Sequence, residues 1–258
     1  MSAKDLVLRP VSSKVANECV KRLHYSGKVV QNSQLHIGVF WRSRLEGAMS
    51  FGPPLDKRKT AGLVRGSKWQ NFCELNRMAF SERLPRNSES RALGVAFRLL
   101  RNHKSALKWV VSFADATQCG DGTIYRASGF VLTGIKPNNQ MWAAPTGERV
   151  SRTSITAQGA KGGERVRKMA RRVVSRTTMT KGAHILSSGA SSMKDLADAG
   201  WMPLPGYQFR YVRFLDPAWR ERLTVPVVPF ADIPDECRMY KGIRGGSQEP
   251  RGVQSRGG

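Results

Sequence analysis

The chain alternates between amphipathic segments and short apolar runs. Residues 15–23 and 93–100 repeat apolar side chains at the spacing of one helix face. Apolar or period-two runs between these segments are too short for ordinary helices and predict strands. The resulting order is strand, helix, hairpin, strand, loop, helix, strand, short helix and strand, which is typical of an α/β domain.

Turn and cap residues set the expected boundaries of these elements. Strands are expected at residues 6–8, 72–78, 109–114, 130–135 and 207–214, with a hairpin over 35–51 that turns at 42–44. The expected caps and stops of the helices are Ser12 or Ser13, Gly27, Asn87 or Ser88, and Thr123. Short helices are expected at 125–128, 191–199 and 216–223, and loops at 55–69 and 137–144.

The stretch from residue 109 to 130 contains the most promising chemistry. An apolar strand ends in Asp115, and a glycine-rich turn then leads to a short helix that carries Tyr125. In open α/β sheets, ligands and catalytic groups gather at the carboxyl ends of strands. The pattern therefore fits half of an active site, but it fits a buried strand with a polar end equally well.

Other polar residues have similar alternatives. His24 and Tyr25 follow the first helix and fit either a site at the rim of the core or a capping histidine beside a half-buried tyrosine. Glu74 lies in a predicted strand, where a buried carboxylate must be solvated or partnered. The start of the second long helix carries four residues that can hold a phosphate, or that can be ordinary caps and surface residues: Arg86, Ser88, Ser90 and Arg91.

The charge balance points to a polyanionic partner. The 258 residues include 43 Lys and Arg but only 19 Asp and Glu, a formal net charge of +24. Nucleic acid is the first expectation and an anionic membrane surface the second. Two basic segments are expected to contact DNA. The first is an exposed loop that carries Lys57, Arg58, Lys59 and Arg65. The second is a helix in an insertion, which can also be a disordered tether, and it carries Arg165, Lys168, Arg171 and Arg172.

The sequence contains no membrane-spanning run and no signal-peptide core, and its four cysteines are widely separated. Reduced thiols in a cytoplasmic protein are the expectation, without a structural zinc site. The expected organisation is a core over residues 1–136, a basic insertion over 137–190, a return to the core over 191–236, and a flexible basic tail over 237–258.

The predicted element order resembles the GNAT acyltransferase fold, and residues 125–130, Tyr-Arg-Ala-Ser-Gly-Phe, resemble a motif that many GNAT proteins carry. This resemblance implies a mixed, mostly antiparallel sheet flanked by helices. The glycine-rich loop that holds the pyrophosphate of coenzyme A is not present before Leu93. Its absence argues against an acyl-CoA donor and leaves the donor open.

Five short motifs, in order, resemble the Mom family of bacteriophage DNA-modification proteins: Leu-His-Tyr-Ser-Gly at 23–27, Gly-Ala at 47–48, Glu-Leu-Asn-Arg at 74–77, Ser-Phe-Ala-Asp at 112–115, and the Tyr-to-Phe motif at 125–130. The resemblance implies carbamoylmethylation of the exocyclic amine of adenine in double-stranded DNA, which protects phage DNA from restriction. It implicates His24, Tyr25, Ser90, Asp115 and Tyr125.

The resemblance also implies a transition metal, iron or another, for which His24, Tyr25 and Asp115 offer mixed nitrogen and oxygen ligands. Two rival hypotheses remain at this point. One is a GNAT acetyltransferase acting on RNA, a protein amine or a small molecule. The other is a nucleic-acid-binding protein without catalysis, which explains the charge but leaves the histidine, aspartate and tyrosine unexplained.

Overall fold

A computed structural model of the protein describes residues 2–117, 120–143, 145, 149–151, 197, 200–240 and 243–244. The basic helix predicted around Arg165 to Arg172, most of the helix predicted at 191–199, and the tail predicted at 237–258, except residues 237–240 and 243–244, lie outside these residues. No helix in the described part of the chain is long and apolar enough to cross a membrane.

Residues 7–52 form three strands and one helix, as predicted. They are β1 (Val7–Pro10), α1 (Ser13–Leu23), β2 (Leu35–Trp41) and β3 (Arg44–Gly52). The Ser12 hydroxyl accepts a hydrogen bond from the Val15 amide and caps α1. Arg42 and Ser43 have positive φ angles of 52° and 61°, which is the conformation that a two-residue hairpin turn requires.

The remaining elements follow in the order α2 (Lys57–Ala61), β4 (Phe72–Phe80), α3 (Ser88–His103), β5 (Trp109–Asp115), α4 (Thr123–Ala127), β6 (Val131–Pro137), β7 (Met141–Ala143), β8 (Arg149–Ser151), β9 (Met202–Pro203), β10 (Tyr207–Phe214), β11 (Met239–Tyr240) and β12 (Ile243–Arg244). Five short 3-10 helices lie among them: Ala3–Asp5, Trp69–Asn71, Pro217–Arg222, Phe230–Asp232 and Asp235–Cys237.

Seven strands form the main sheet, in the order β1-β2-β3-β4-β5-β10-β6. Within the described residues, β4 and β5 are the one parallel pair of this sheet, and its other neighbours run antiparallel. The aromatic strand β10 lies between β5 and β6. The predicted fold class, a mixed and mostly antiparallel sheet flanked by helices, is confirmed.

The two central strands separate soon after they pair. Parallel pairing runs only from Phe72 opposite Trp109 to Glu74 opposite Val111. Beyond Glu74, β4 continues beside β3, whereas β5 continues beside β10. The sheet therefore has a gap between the carboxyl ends of β4 and β5.

Helices and loops cover both faces of the sheet. The core on the α3 face includes Leu93, Phe97, Val110 and Tyr211. Because side chains alternate along a strand, the neighbours of Val110, which are Trp109 and Val111, lie in the core of the other face. Helix α1 packs on that second face through Ala16 and Cys19 against Ala48. The gap between β4 and β5 can therefore be reached by residues from either face.

Several local predictions were wrong. The predicted loop at 55–69 contains α2, because Asp56 caps it by accepting from the Lys59 amide at 2.9 Å. The predicted loop at 137–144 contains β7, which pairs with β8 and β9. Helix α1 ends at Leu23 rather than at Gly27. The helix expected at 216–223 is a 3-10 helix over Pro217–Arg222.

Candidate active site at the gap between β4 and β5

Asp115 is the last residue of β5 and is held in a fixed position. Its Oδ1 accepts hydrogen bonds from the Thr117 amide and from Asn138 Nδ2, each at 2.9 Å. Asn138 itself is buried. Alternation along β5 puts Asp115 on the face of Trp109 and Val111, away from α3. A carboxylate with two fixed donors on one oxygen is well placed to orient a substrate.

Glu74 faces the same side of the sheet from β4. The Leu75 side chain belongs to the α3-side core, so its neighbour Glu74 points to the opposite face. Burial raises the pKa of Glu74 from 4.5 to about 7, while a hydrogen bond from Asn76 and the charge of Arg77 oppose this rise. The sequence identified Glu74 as a carboxylate that needs a partner, but not as a site residue. A carboxyl group that titrates near neutral pH is a good proton acceptor.

His24 follows α1 and lies near Arg77. Burial, and then the positive charge of Arg77, lower the pKa of His24 to about 4. Its Nδ1 lies 2.8 Å from Ser26 Oγ and accepts from the Ser26 amide at 3.1 Å. Arg77 donates to the carbonyl oxygens of Lys28 and Asn76. His24 is therefore a neutral imidazole, and Arg77 acts electrostatically on both His24 and Glu74.

Tyr25 is 56% exposed, and its ring centre lies 4.1 Å from that of His24.

Within the described part of the chain, no three His, Cys, Asp or Glu side chains cluster closely enough to hold a metal ion. Burial raises the pKa of Cys73 to about 12, so its thiol is protonated near neutral pH. Iron therefore stays a prediction from the resemblance.

Tyr125 approaches from the α3 face. Its ring centre lies 5.2 Å from the ring centres of Phe130 and Tyr211, both of which belong to the α3-side core. The Tyr211 hydroxyl donates a hydrogen bond to the Asp121 carbonyl and so ties β10 to the turn before α4. Sequence analysis missed this positioning role of Tyr211, although it predicted the strand. Tyr125 and Asp115 therefore lie on opposite faces of the sheet.

The turn that carries Tyr125 depends on a glycine. Gly122, and not Thr123, occupies the cap position of α4, and it has a φ angle of +91°. The Thr123 hydroxyl instead donates to Asp121 Oδ1 at 3.1 Å. A Cβ at position 122 would overlap the Tyr211 ring. The close contact between this turn and Tyr211 explains why glycine precedes the helix.

Replacing Gly122 with alanine is expected to destabilise the protein by about 1–3 kcal/mol, because it adds backbone strain to overpacking. Thermal unfolding of the purified chain measures this loss. The matched control is Gly94→Ala, since Gly94 lies within α3 and no neighbouring atom lies within 4 Å of an added Cβ. That control is expected to raise stability by about 0.5–1 kcal/mol. Equal stability of the two variants would contradict the packing described for Gly122.

The start of α3 differs from the predicted phosphate site in detail. Ser88 is fully buried, and its hydroxyl donates to the Pro85 carbonyl at 2.6 Å. The Ser90 hydroxyl donates to the Asn87 carbonyl at 3.2 Å. Arg86 and Arg91 are exposed. The two arginines are therefore more accessible to an anion than Ser88, whose hydroxyl already donates to a backbone carbonyl.

The described part of the predicted DNA surface is accessible. Lys57, Arg58 and Lys59 on α2, and Arg65 after it, are all exposed. Val64 forms a β-bridge with Leu223, and the Arg65 amide donates to the Arg222 carbonyl at 2.8 Å. These two contacts fix the segment to the rest of the domain. Four positive charges thus lie on an anchored surface. The second basic group, Arg165, Lys168, Arg171 and Arg172, lies outside the described residues.

Comparison with known proteins gives three kinds of likeness. The methylcarbamoylase mom of Escherichia phage Mu is 37% identical over 133 residues, which are 51% of this chain and 55% of that protein. The matched stretch thus spans about half the length of this curated relative.

Solved structures of acetyltransferases also align with the chain. A GNAT family acetyltransferase from Streptococcus pneumoniae aligns at 16% identity and a TM-score of 0.36, over 51% of this chain and 88% of that chain. A GNAT family acetyltransferase from Elizabethkingia anophelis with acetyl-CoA bound aligns at 13% identity and a TM-score of 0.34, over 51% of this chain and 80% of that chain.

The widest match is to a protein family. The sequence matches the Mom protein family over residues 5–232. This range includes both strands that border the gap and the aromatic strand that supports α4. The chain therefore belongs to the Mom protein family.

Proposed function

We propose that this chain is a DNA-modifying transferase that adds a carbamoylmethyl group to the exocyclic amine of adenine in duplex DNA. The observation that carries this proposal is the gap between β4 and β5, with the carboxylates Glu74 and Asp115 on one face and the phenol Tyr125 on the other. Membership of the Mom family, and the name of the phage Mu relative, support the type of reaction.

The exocyclic amine of adenine needs assistance because its lone pair is delocalised into the ring. It must lose a proton as its nitrogen bonds to the methylene carbon of the donor. Glu74 accepts this proton, since its pKa near 7 balances basicity against ionisation at neutral pH. Asp115 lies four residues further along β5 than Val111, the residue opposite Glu74, and from the end of that strand it accepts a hydrogen bond from the substrate and orients it.

The donor is a molecule that carries an activated carbamoylmethyl group. As the nitrogen–carbon bond forms, the bond between that carbon and the leaving group breaks, and its electron pair departs with the leaving group. Tyr125 donates a proton to the leaving group from the α3 face. Donor and adenine thus approach from opposite faces of the sheet, in agreement with the positions of Tyr125 and Asp115.

The charge of the protein supplies affinity for DNA. A formal net charge of +24 attracts the phosphate backbone, and the exposed α2 segment offers anchored phosphate contacts through Lys57, Arg58, Lys59 and Arg65. Such contacts position the enzyme without reading sequence. Acceptor selection therefore depends on groups other than these phosphate contacts.

Nucleoside mass spectrometry of DNA from bacterial cells that express the full chain tests this function. The expected result is a deoxyadenosine whose mass is increased by one carbamoylmethyl group that replaces a hydrogen. Cells that carry the empty vector provide the control. Unmodified deoxyadenosine in iron-replete cells with abundant protein would refute the proposal, and an added acetyl group would favour an acetyltransferase.

A further inference from the structure

A cavity of about 360 Å³ lies beside the exposed α2 segment, at the end of β3 and the start of β4. The residues that matter for its chemistry are Gln34, Gly52, Pro54, Lys57, Trp69 and Gln70. Its volume falls in the range of roughly 300–1,000 Å³ that is usual for small-ligand sites. The cavity thus has room for a nucleobase with its sugar.

Trp69 is an unusual component of this cavity because its side chain is 62% exposed. The Nζ atom of Lys57 lies 4.9 Å from the centre of its ring, so a cation already rests on one part of the aromatic surface. An exposed tryptophan beside phosphate-binding cations is a common means of stacking nucleobases.

The short helix that carries Trp69 is fixed at both ends. Asn71 Oδ1 accepts from the Lys68 amide at 2.7 Å, and Asn71 Nδ2 donates to the Ala106 carbonyl at 2.9 Å. The Lys108 amide donates to the Asn71 carbonyl at 2.7 Å. The tryptophan is therefore presented by a rigid support, which reduces the entropy lost when a ligand stacks on it.

The polar lining suits an adenine. Gln34 and Gln70 each carry an amide that can both donate and accept, which matches the adjacent donor and acceptor of an adenine edge. Both residues are exposed and can adjust to a ligand. Pro54 adds an apolar wall.

The location of the cavity relates it to the reaction. Gly52, which lines it, pairs with Glu74 across β3 and β4. A Cβ at Gly52 would lie within 3 Å of Asn76, Asn32 and Ser33, so the chain is tightly packed between the cavity and the region of Asn76. A base held in the cavity therefore lies beside the strand that carries the proposed proton acceptor.

We infer that this cavity receives the target adenine after it has left the base stack of duplex DNA, with Trp69 stacking on the base and α2 binding the flanking phosphates. This inference rests on the proposed function, because it concerns the same acceptor. An adenine within a duplex presents its amine in a groove, and chemistry on a base commonly requires its removal from the stack.

Binding of the full chain to two labelled duplexes tests the inference. One duplex is fully paired, and the other has the same sequence with one adenine opposite an abasic position, so that extrusion costs less. The wild-type chain is expected to prefer the second duplex by about tenfold, since a saving of 1.4 kcal/mol corresponds to that factor. Trp69→Ala is expected to reduce this preference below about twofold while paired-duplex binding changes little, whereas Trp69→Phe retains most of it.

Two controls separate stacking from charge and from general destabilisation. Trp41 also has a cation on its ring, with Arg42 at 4.6 Å, but it lies on the β2–β3 hairpin away from the cavity. Trp41→Ala is expected to keep the preference for the unpaired adenine. Lys57→Ala is expected to weaken binding of both duplexes and to reduce the salt slope by about one.

Adenine modification measured in the same variants distinguishes the inference from the proposed function. If the wild-type chain modifies DNA and Trp69→Ala retains both modification and the preference, the cavity assignment is overturned and the proposed function stands. If no variant modifies DNA, but Trp69→Ala still abolishes the preference, the base site is supported and the proposed function fails. Binding of free adenosine monophosphate is measured with the same variants. If Trp69→Ala loses this binding but keeps the duplex preference, the cavity binds a free nucleotide rather than a base of DNA, and the assignment to DNA is overturned.

Discussion

Replacing Asp115 with asparagine is expected to lower the rate of adenine modification by about 10²-fold or more, since a substrate displaced from its reactive position loses about this factor. Asparagine keeps a carbonyl oxygen that can accept from Thr117 and Asn138, so the turn after β5 is retained. What it removes is the negative charge that orients the substrate at the end of β5. DNA affinity is expected to change by less than about twofold, because phosphate contacts elsewhere dominate binding.

Single-turnover modification of a defined duplex, measured beside equilibrium DNA binding, separates these two effects. Asp121→Asn is the matched control, because Asp121 lies on the same loop and its loss changes the charge equally, while its Oδ1 only accepts from the Thr123 hydroxyl among the contacts described. Parallel loss of modification and of binding in Asp115→Asn would refute a role in the reaction. Equal losses in the two variants would indicate a general effect of loop charge.

The sequence was sufficient to predict the elements that have strong local patterns. The apolar run before Asp115 and the helical spacing of residues 93–100 were each enough to locate β5 and α3. The position of Asp115 at a strand end followed directly from the end of that run. These predictions succeeded because a strand or helix that packs on a single core records its period in the sequence.

The gap itself could not be predicted from local patterns. Parallel pairing of β4 with β5 stops after Glu74, where β4 continues beside β3 and β5 continues beside β10, and this is a tertiary feature. The raised pKa of Glu74 likewise depends on burial between elements that are distant in sequence. Tyr211 supports the turn at Gly122 from a strand about ninety residues later. Such contacts leave no periodic signal.

The caps were predicted less well than the elements. Of the two predicted caps of α3, Asn87 takes the cap position, with a φ angle of +67°, whereas Ser88 is buried and donates to the Pro85 carbonyl. At α4, close packing against Tyr211 places Gly122, rather than the predicted Thr123, at the cap position. Residue type specifies a turn only where no tertiary contact competes with it.

The second large effect is expected for Glu74→Gln. Removing a general base typically lowers a rate by about 10²–10⁴-fold, and the neutral amide cannot accept the proton from adenine. In the wild-type chain, the modification rate is expected to rise with pH and to level off above about 7, where Glu74 is ionised. The variant is expected to lack this pH dependence. Single-turnover rates across the pH range, at saturating DNA, provide the measurement.

Stability provides an independent test of the same carboxyl group. Because its pKa is raised in the folded state, from 4.5 to about 7, the protonated form is favoured by folding. The stabilisation is fully present below pH 4.5 and is lost as the pH rises through about 7, since ionisation then puts a charge in a half-buried position. The Tm of the wild-type chain, measured relative to that of Glu74→Gln, should therefore decrease as the pH rises from 4.5 to about 7.

Glu82→Gln is the matched control, because Glu82 is exposed just beyond the end of β4 and its loss changes the net charge by the same amount. This variant is expected to keep the modification rate and the pH profile of the wild-type chain. Wild-type rates in Glu74→Gln would show that another group accepts the proton, even if the change in Tm occurs as expected. If the Tm difference between Glu74→Gln and the wild-type chain is independent of pH, the carboxyl group is not buried in a charge-sensitive position, and its assignment as a base tuned to neutral pH fails with it.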